Sequence, residues 1–137
     1  MKKILIAAFL GLALISCSDD KKQEKDHLDA LLKLHDKMMG QDDALMKNKS
    51  KLDSLLKLPA KDTAEKVNIK AMDTKLLAAE EAMETWMNDF KPDVTGKSHD
   101  EIIKYYDSQK KLVMSVDSQM NAAIGETSKY LSNKKIK

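Results

Sequence analysis

Five side chains in this sequence are soft or polarisable enough to hold a monovalent copper ion if folding gathers them. They are the imidazole of His35, the thioethers of Met39, Met83 and Met87, and the indole of Trp86. Thioethers and imidazoles are ligands for Cu(I), and a thioether keeps that character in an oxidising envelope where a thiol would be lost. An indole face beside the ion adds a cation–π contact and keeps water away. The same residues have a second use, because methionine fills irregular cores and tryptophan anchors packing. Copper site and sulfur-rich packing are therefore both open readings of one set of residues.

Cys17 carries a different chemistry. It is the only cysteine, and it ends Leu14-Ile15-Ser16-Cys17, which resembles a bacterial lipobox. Lys2 and Lys3 precede a twelve-residue apolar run from Ile4 to Ile15. That is the layout of an export signal, too short for a span of about 20 apolar residues. The expectation is cleavage before Cys17 and a covalent lipid, such as palmitate, on its sulfur, which anchors the protein in the cell envelope at the outer membrane. An ordinary signal peptide with an incidental cysteine is the alternative. An acylated Cys17 leaves no thiol for disulfides or catalysis.

Removal of residues 1–16 leaves 22 Lys against 22 Asp and Glu, so the mature chain is neutral. It contains no arginine. Bidentate base reading and phosphate clamping lean on Arg and on net positive charge, so nucleic acid is not an expected partner. The abundance of Ala, Leu, Lys, Glu and Met, with four Gly and two Pro, points to helices.

The elements that must position these residues follow from apolar spacing. Residues 17–25 are polar, charged and aperiodic, and read as a flexible tether; the Ser-Asp-Asp after Cys17 resembles a surface-export signal or is a solvated spacer. From residue 26, Leu28, Leu31, Leu32, His35, Met38, Met39, Leu45, Met46, Leu52, Leu55 and Leu56 share a broad helical stripe that ends at Leu58-Pro59. Asp62 is a candidate N-cap with Glu65 three residues on. The stripe behind it runs Ile69, Met72, Leu76, Ala79, Met83, Trp86, Phe90 and stops at Lys91-Pro92. Ser98 and Glu101 form a capping box. The seam that follows is Ile102, Tyr106, Gln109, Val113, Val116, Met120, Ala123, Thr127 and Tyr130. The expectation is an all-α fold, an elongated antiparallel up-down-up bundle of three helices over residues 26–133, with a basic tail at 134–137. Its rival is an open hairpin that completes its core as a homodimer.

Short loops fix which residues share a level. In the expected register His35 faces Thr85 and Trp86, Met38 and Met39 fall beside Met83, and residues 103–106 of the last helix complete the layer. Gly40, inside the first helix, marks either a kink or a close helix approach. Asp42 and Lys49 fall where leucine is expected, as candidates for register-setting polar contacts.

The chain lacks G-x-S-x-G, H-E-x-x-H and a glycine-rich phosphate loop. Adjacent carboxylates such as Glu80-Glu81 point about 100° apart on a helix and do not converge. His27 and His99 read as solvated surface residues beside aspartates. No catalytic apparatus is visible, and the expected role is structural or partner-binding within the envelope, with another envelope protein as the partner.

His35-Asp36-Lys37-Met38-Met39 with Met46, Glu81-Ala82-Met83, and Trp86-Met87-Asn88-Asp89-Phe90 together resemble small Bacteroidota lipoproteins labelled "viral A-type inclusion protein". The likeness covers most of the mature chain. It implies an envelope location and a helical fold, and it implies no activity, since the label reflects generic coiled-coil similarity. That pattern often has proline in place of Gly40 and methionine in place of Asp42. The second departure removes a thioether near His35, while the first retains a helix-loosening residue.

Overall fold

The computed structural model of the chain describes residues 13–59 and 62–135, with side chains from residue 19 to residue 134. Residues 1–12 of the export signal and the Cys17 side chain lie outside the described residues. Four helices and no strands occur among those described: α1 (Ala13–Met39), α2 (Asp42–Leu56), α3 (Thr63–Asp89) and α4 (His99–Lys135). α4, about 55 Å long at 1.5 Å per residue, is the element on which α1, α2 and α3 all pack, and α2 also packs on α3.

The first expected helix is broken in two. Met39 is its last regular residue, and Gly40 and Gln41 form one turn in which the Gln41 N–H reaches the Met38 carbonyl at 2.9 Å, tighter than the α-helical bond. The turn interrupts the helix, in line with the kink reading of Gly40, and the core keeps its phase across it: Leu31, Met38, Leu45 and Leu52 are all fully buried at intervals of seven. Gly40 itself is exposed, which removes the close-approach reading.

The first stripe is narrower than expected. Leu32, Met39 and Met46 are 42–48% exposed because each lies one residue, about 100° of rotation, beyond a buried or half-buried seam position. The stripe of α3 is buried from Ile69 to Trp86, and Phe90 packs against it. In α4, Ile102, Tyr106, Val113, Val116, Met120, Ala123 and Thr127 are buried as expected, joined by Leu131.

Caps set the helix starts. The Asp62 carboxylate accepts the Ala64 N–H at 2.9 Å. Glu101 accepts both the backbone N–H and the hydroxyl of Ser98 at 2.8 Å, so the expected box forms with the serine donating to the glutamate. Two expected boundaries move. Helix α1 extends through the supposed tether at 17–25, because Asp20, Glu24 and His27 find partners on α4. The supposed basic tail begins inside α4, where Lys134 pairs with Glu65 and lies over the Tyr130 ring.

Cross-helix pairs fix the levels. His27 meets Asp107, Lys37 meets Asp117 and Asn48 meets Ser128, each 80 residues apart. Between α3 and α4 the numbers run oppositely: Glu65 with Tyr130, Lys75 with Glu126, Trp86 with Gln109.

Candidate functional site

His35 and Trp86 are brought together as their spacing predicts. Their ring centroids lie 5.9 Å apart and the rings tilt by 41°. The His35 side chain is 28% exposed, and its Nδ1 lies 3.1 Å from the Asp36 carboxylate. A carboxylate on one ring nitrogen orients the imidazole and leaves Nε2 to face a ligand.

Trp86 sits at one end of a chain of rings that the sequence pattern did not announce. It stacks on Phe90 at 5.3 Å, Phe90 on Tyr105 at 6.2 Å, and Tyr105 meets Tyr106 at 5.7 Å. Its indole N–H donates to the Gln109 side chain at 2.9 Å, so the buried polar atom is satisfied. The Tyr105 hydroxyl accepts the Lys91 N–H at 2.8 Å and ties the connection to α4. Burial, and then the nearby Tyr105 and Glu24, push the Tyr106 hydroxyl above its ordinary range.

Gln109 faces Trp86 where the expected register put residues 103–106. The cause lies in the connection. Phe90 and Lys91 precede Pro92, which disfavours helix before it, and Val94 folds back onto the core, so residues 90–98 do not make a symmetric turn.

The thioethers do not form the closed layer expected. Met83 and Met38 are buried in the core, whereas Met39 is 42% and Met87 is 38% exposed. Met39 is one residue past fully buried Met38, and Met87 one past Trp86, so each turns outward by about 100°. His35, Trp86 and buried Met83 thus occupy the interior edge, with Met39 and Met87 at the surface. Among the described residues no three His, Cys, Asp or Glu side chains gather as a metal-holding group.

Several polar contacts matter more than the sequence indicated. Asp117 of α4 accepts from Lys37 Nζ at 2.8 Å and from Gln41 Nε2 at 3.1 Å, stapling the kink from both sides. Those two donors and Asn121 hold the Asp117 carboxyl below its ordinary range, the Lys37 bond contributing most. Buried Asn48 donates to the Ile124 carbonyl and the Ser128 hydroxyl. A polar residue three after Leu45 and four before Leu52 was the available signal. Lys49 bridges α2 to α3 through Glu80, as a register contact should, while Asp42 is half-buried.

His27 and His99 are not the free surface residues expected. His27 Nδ1 lies 3.0 Å from Asp107, and His99 Nδ1 lies 3.0 Å from Glu24, with Asp20 at 3.9 Å from its other nitrogen.

A cavity of about 500 Å³ opens beside Trp86 between α3 and α4, lined by Ala82, Thr85, Gln109, Leu112 and Val116 among others. Leu112 is 53% exposed there and offers apolar surface. No helix among the described residues is long and apolar enough to cross a membrane. Comparison of the chain with family models, with curated proteins and with solved structures gave no match.

Proposed function

We propose that this chain is a lipid-anchored helical-bundle protein of the cell envelope, held at the outer membrane through Cys17, with a structural or partner-binding role. The observation that carries the reading is the lone Cys17 closing Leu14-Ile15-Ser16-Cys17 behind a twelve-residue apolar run. Two or more acyl chains give stable anchoring that such a run cannot provide by spanning. The resemblance to small Bacteroidota lipoproteins supports the same compartment. The constant offset between α1–α2 and α4, with the opposed numbering of α3 and α4, supports an elongated up-down-up arrangement of three helical arms. The apolar recess beside Trp86 is where a protein partner finds surface to bury.

Metabolic labelling with an alkyne fatty acid tests the anchor. The parent takes up label and Cys17→Ser does not; label retained undiminished by the variant would remove the lipoprotein reading.

Copper binding is the second reading, favoured by one observation: Asp36 orients the His35 ring beside Trp86. Here His35 Nε2 and buried Met83 supply the inner ligands, Met39 and Met87 would turn in from the surface to complete the set, and Trp86 gives the shielding face. Anaerobic Cu(I) titration separates the readings. A copper site gives stoichiometric uptake that His35→Ala abolishes and Met120→Leu leaves intact, whereas packing gives equal, weak uptake by all three proteins.

A further inference from the structure

From Asp19 to His27 no apolar side chain occurs, yet the segment continues α1 and lies along α4. The buried seam of this arm repeats at Leu31, Met38, Leu45 and Leu52. One heptad earlier the same position is Glu24, flanked on the same face by Asp20 and His27. The docking surface is thus continuous in geometry and changes in chemistry, from aliphatic to ionisable.

What α4 offers in return is also ionisable. Glu24 meets His99 Nδ1 at 3.0 Å, Asp20 lies 3.9 Å from His99 Nε2, and His27 Nδ1 lies 3.0 Å from Asp107. The groups facing His99 are Asp20 and Glu24 from α1 and Asp100 from its own turn, and Asp107 from α4 faces His27. Tyr106 lies near Glu24. Both pairs join α1 to α4, and both are ion pairs only when the imidazole is protonated.

We propose that residues 19–27 form a histidine-controlled latch, held on α4 by the His27–Asp107 contact and by the His99 cluster, docked while His99 is charged and released when it is neutral. The side-chain bond to Glu24 raises the His99 pKa, and Asp20, Glu24 and Asp100 add to the effect against opposing burial. A raised folded-state value means that the docking it contributes is fully present below the ordinary histidine range, near pH 6.5, and is lost as pH rises through the raised value. Leu28 and Leu31, where apolar docking begins, do not titrate, so opening stops there.

Opening changes reach. Nine residues span about 13 Å as helix and up to about 30 Å extended. On a chain anchored at Cys17 the latch would set how far the bundle stands from the membrane. That consequence alone rests on the proposed lipid anchor, whereas the latch does not.

Residue-resolved amide hydrogen exchange on the full chain in detergent tests it, each rate being divided by the intrinsic rate at the same pH. Between about pH 5.5 and about pH 8.5, protection over 20–27 should fall a few-fold while protection over 31–38 holds. In His27→Gln/His99→Gln, protection over 20–27 should be low throughout, and in Glu24→Gln the pH step should shrink. Protection of 20–27 that is independent of pH in the parent, or a step that persists in the double histidine variant, would overturn the latch. Acylation of Cys17 is read separately, so failure of the anchor and failure of the latch are distinct results.

Discussion

The two halves of α1 lie on the same neighbour by opposite means. From Leu28 to Met39 the helix is held by Leu31 and Met38, both fully buried against the core that α3 and α4 complete. From Asp19 to His27 it is held by histidine–carboxylate pairs at part-exposed sites. Apolar burial carries no charge to titrate or screen and couples each residue to the whole fold, while exposed ion pairs are weak, screened and titratable. The difference teaches that one continuous helix need not be one cooperative unit.

The strongest test of that contrast sets a core leucine against a latch carboxylate. Leu76 is fully buried at the middle of α3, and its replacement by alanine should cost about 2–5 kcal/mol of global stability. Glu24→Gln should leave the denaturation midpoint unchanged and alter exchange only near residue 24. A parent-like midpoint for Leu76→Ala in denaturant would remove the core assignment of α3. A midpoint shift of core size for Glu24→Gln would make the two halves of α1 a single cooperative unit.

The same division explains what was legible in the sequence. Apolar positions at spacings of three and four announced the α3 stripe from Ile69 to Trp86 and most of the α4 seam, because burial selects residue type directly. The His35–Trp86 contact followed from a short connection between α2 and α3. Polar docking left no such signature. Asp20, Glu24 and His27 have the composition of a solvated tether, and only the presence of His99 and Asp107 opposite makes them part of the fold. The thioether layer failed for a geometric reason, since Met38 and Met39 cannot both face one neighbour on a helix of 3.6 residues per turn. The α3–α4 level was misplaced because a turn length does not say that Val94 folds back onto the core.

Asp117 lies between the two regimes, a part-buried carboxylate stapling an otherwise apolar arm at its kink. Asp117→Ala should cost about 1–2 kcal/mol, the scale of charge-assisted hydrogen bonds discounted for partial exposure. Its lowered pKa fixes the sign of the acid dependence: the contribution is present above the ordinary aspartate value and lost as pH falls through the lowered one. The stability gap between the parent and Asp117→Asn, read by denaturation at successive pH values, should therefore close on acidification below about pH 4. A gap that stays constant to the lowest pH would show that the staple works through shape alone.

The smallest effect is expected at Gly40, and it has the opposite sign. Gly40 lies at the break between α1 and α2, is exposed, and does not adopt positive φ; Gly96 is the one described glycine that does. A Cβ placed on Gly40 would meet the Lys37 carbonyl at 3.4 Å and the Asp36 carbonyl at 3.6 Å, which is ordinary contact. Alanine therefore fits the turn as it stands, and it removes backbone freedom from the unfolded chain and adds helix propensity on both sides. Gly40→Ala should stabilise by roughly 0.4–1 kcal/mol in thermal or chemical denaturation. The gain should appear as higher exchange protection around residues 36–45 and leave 20–27 untouched, because the polar half of α1 is coupled to His99 and Asp107 rather than to the kink. A loss of stability in Gly40→Ala would mean that the bend demands glycine, and that the phase kept from Leu31 to Leu52 depends on a turn only glycine can make.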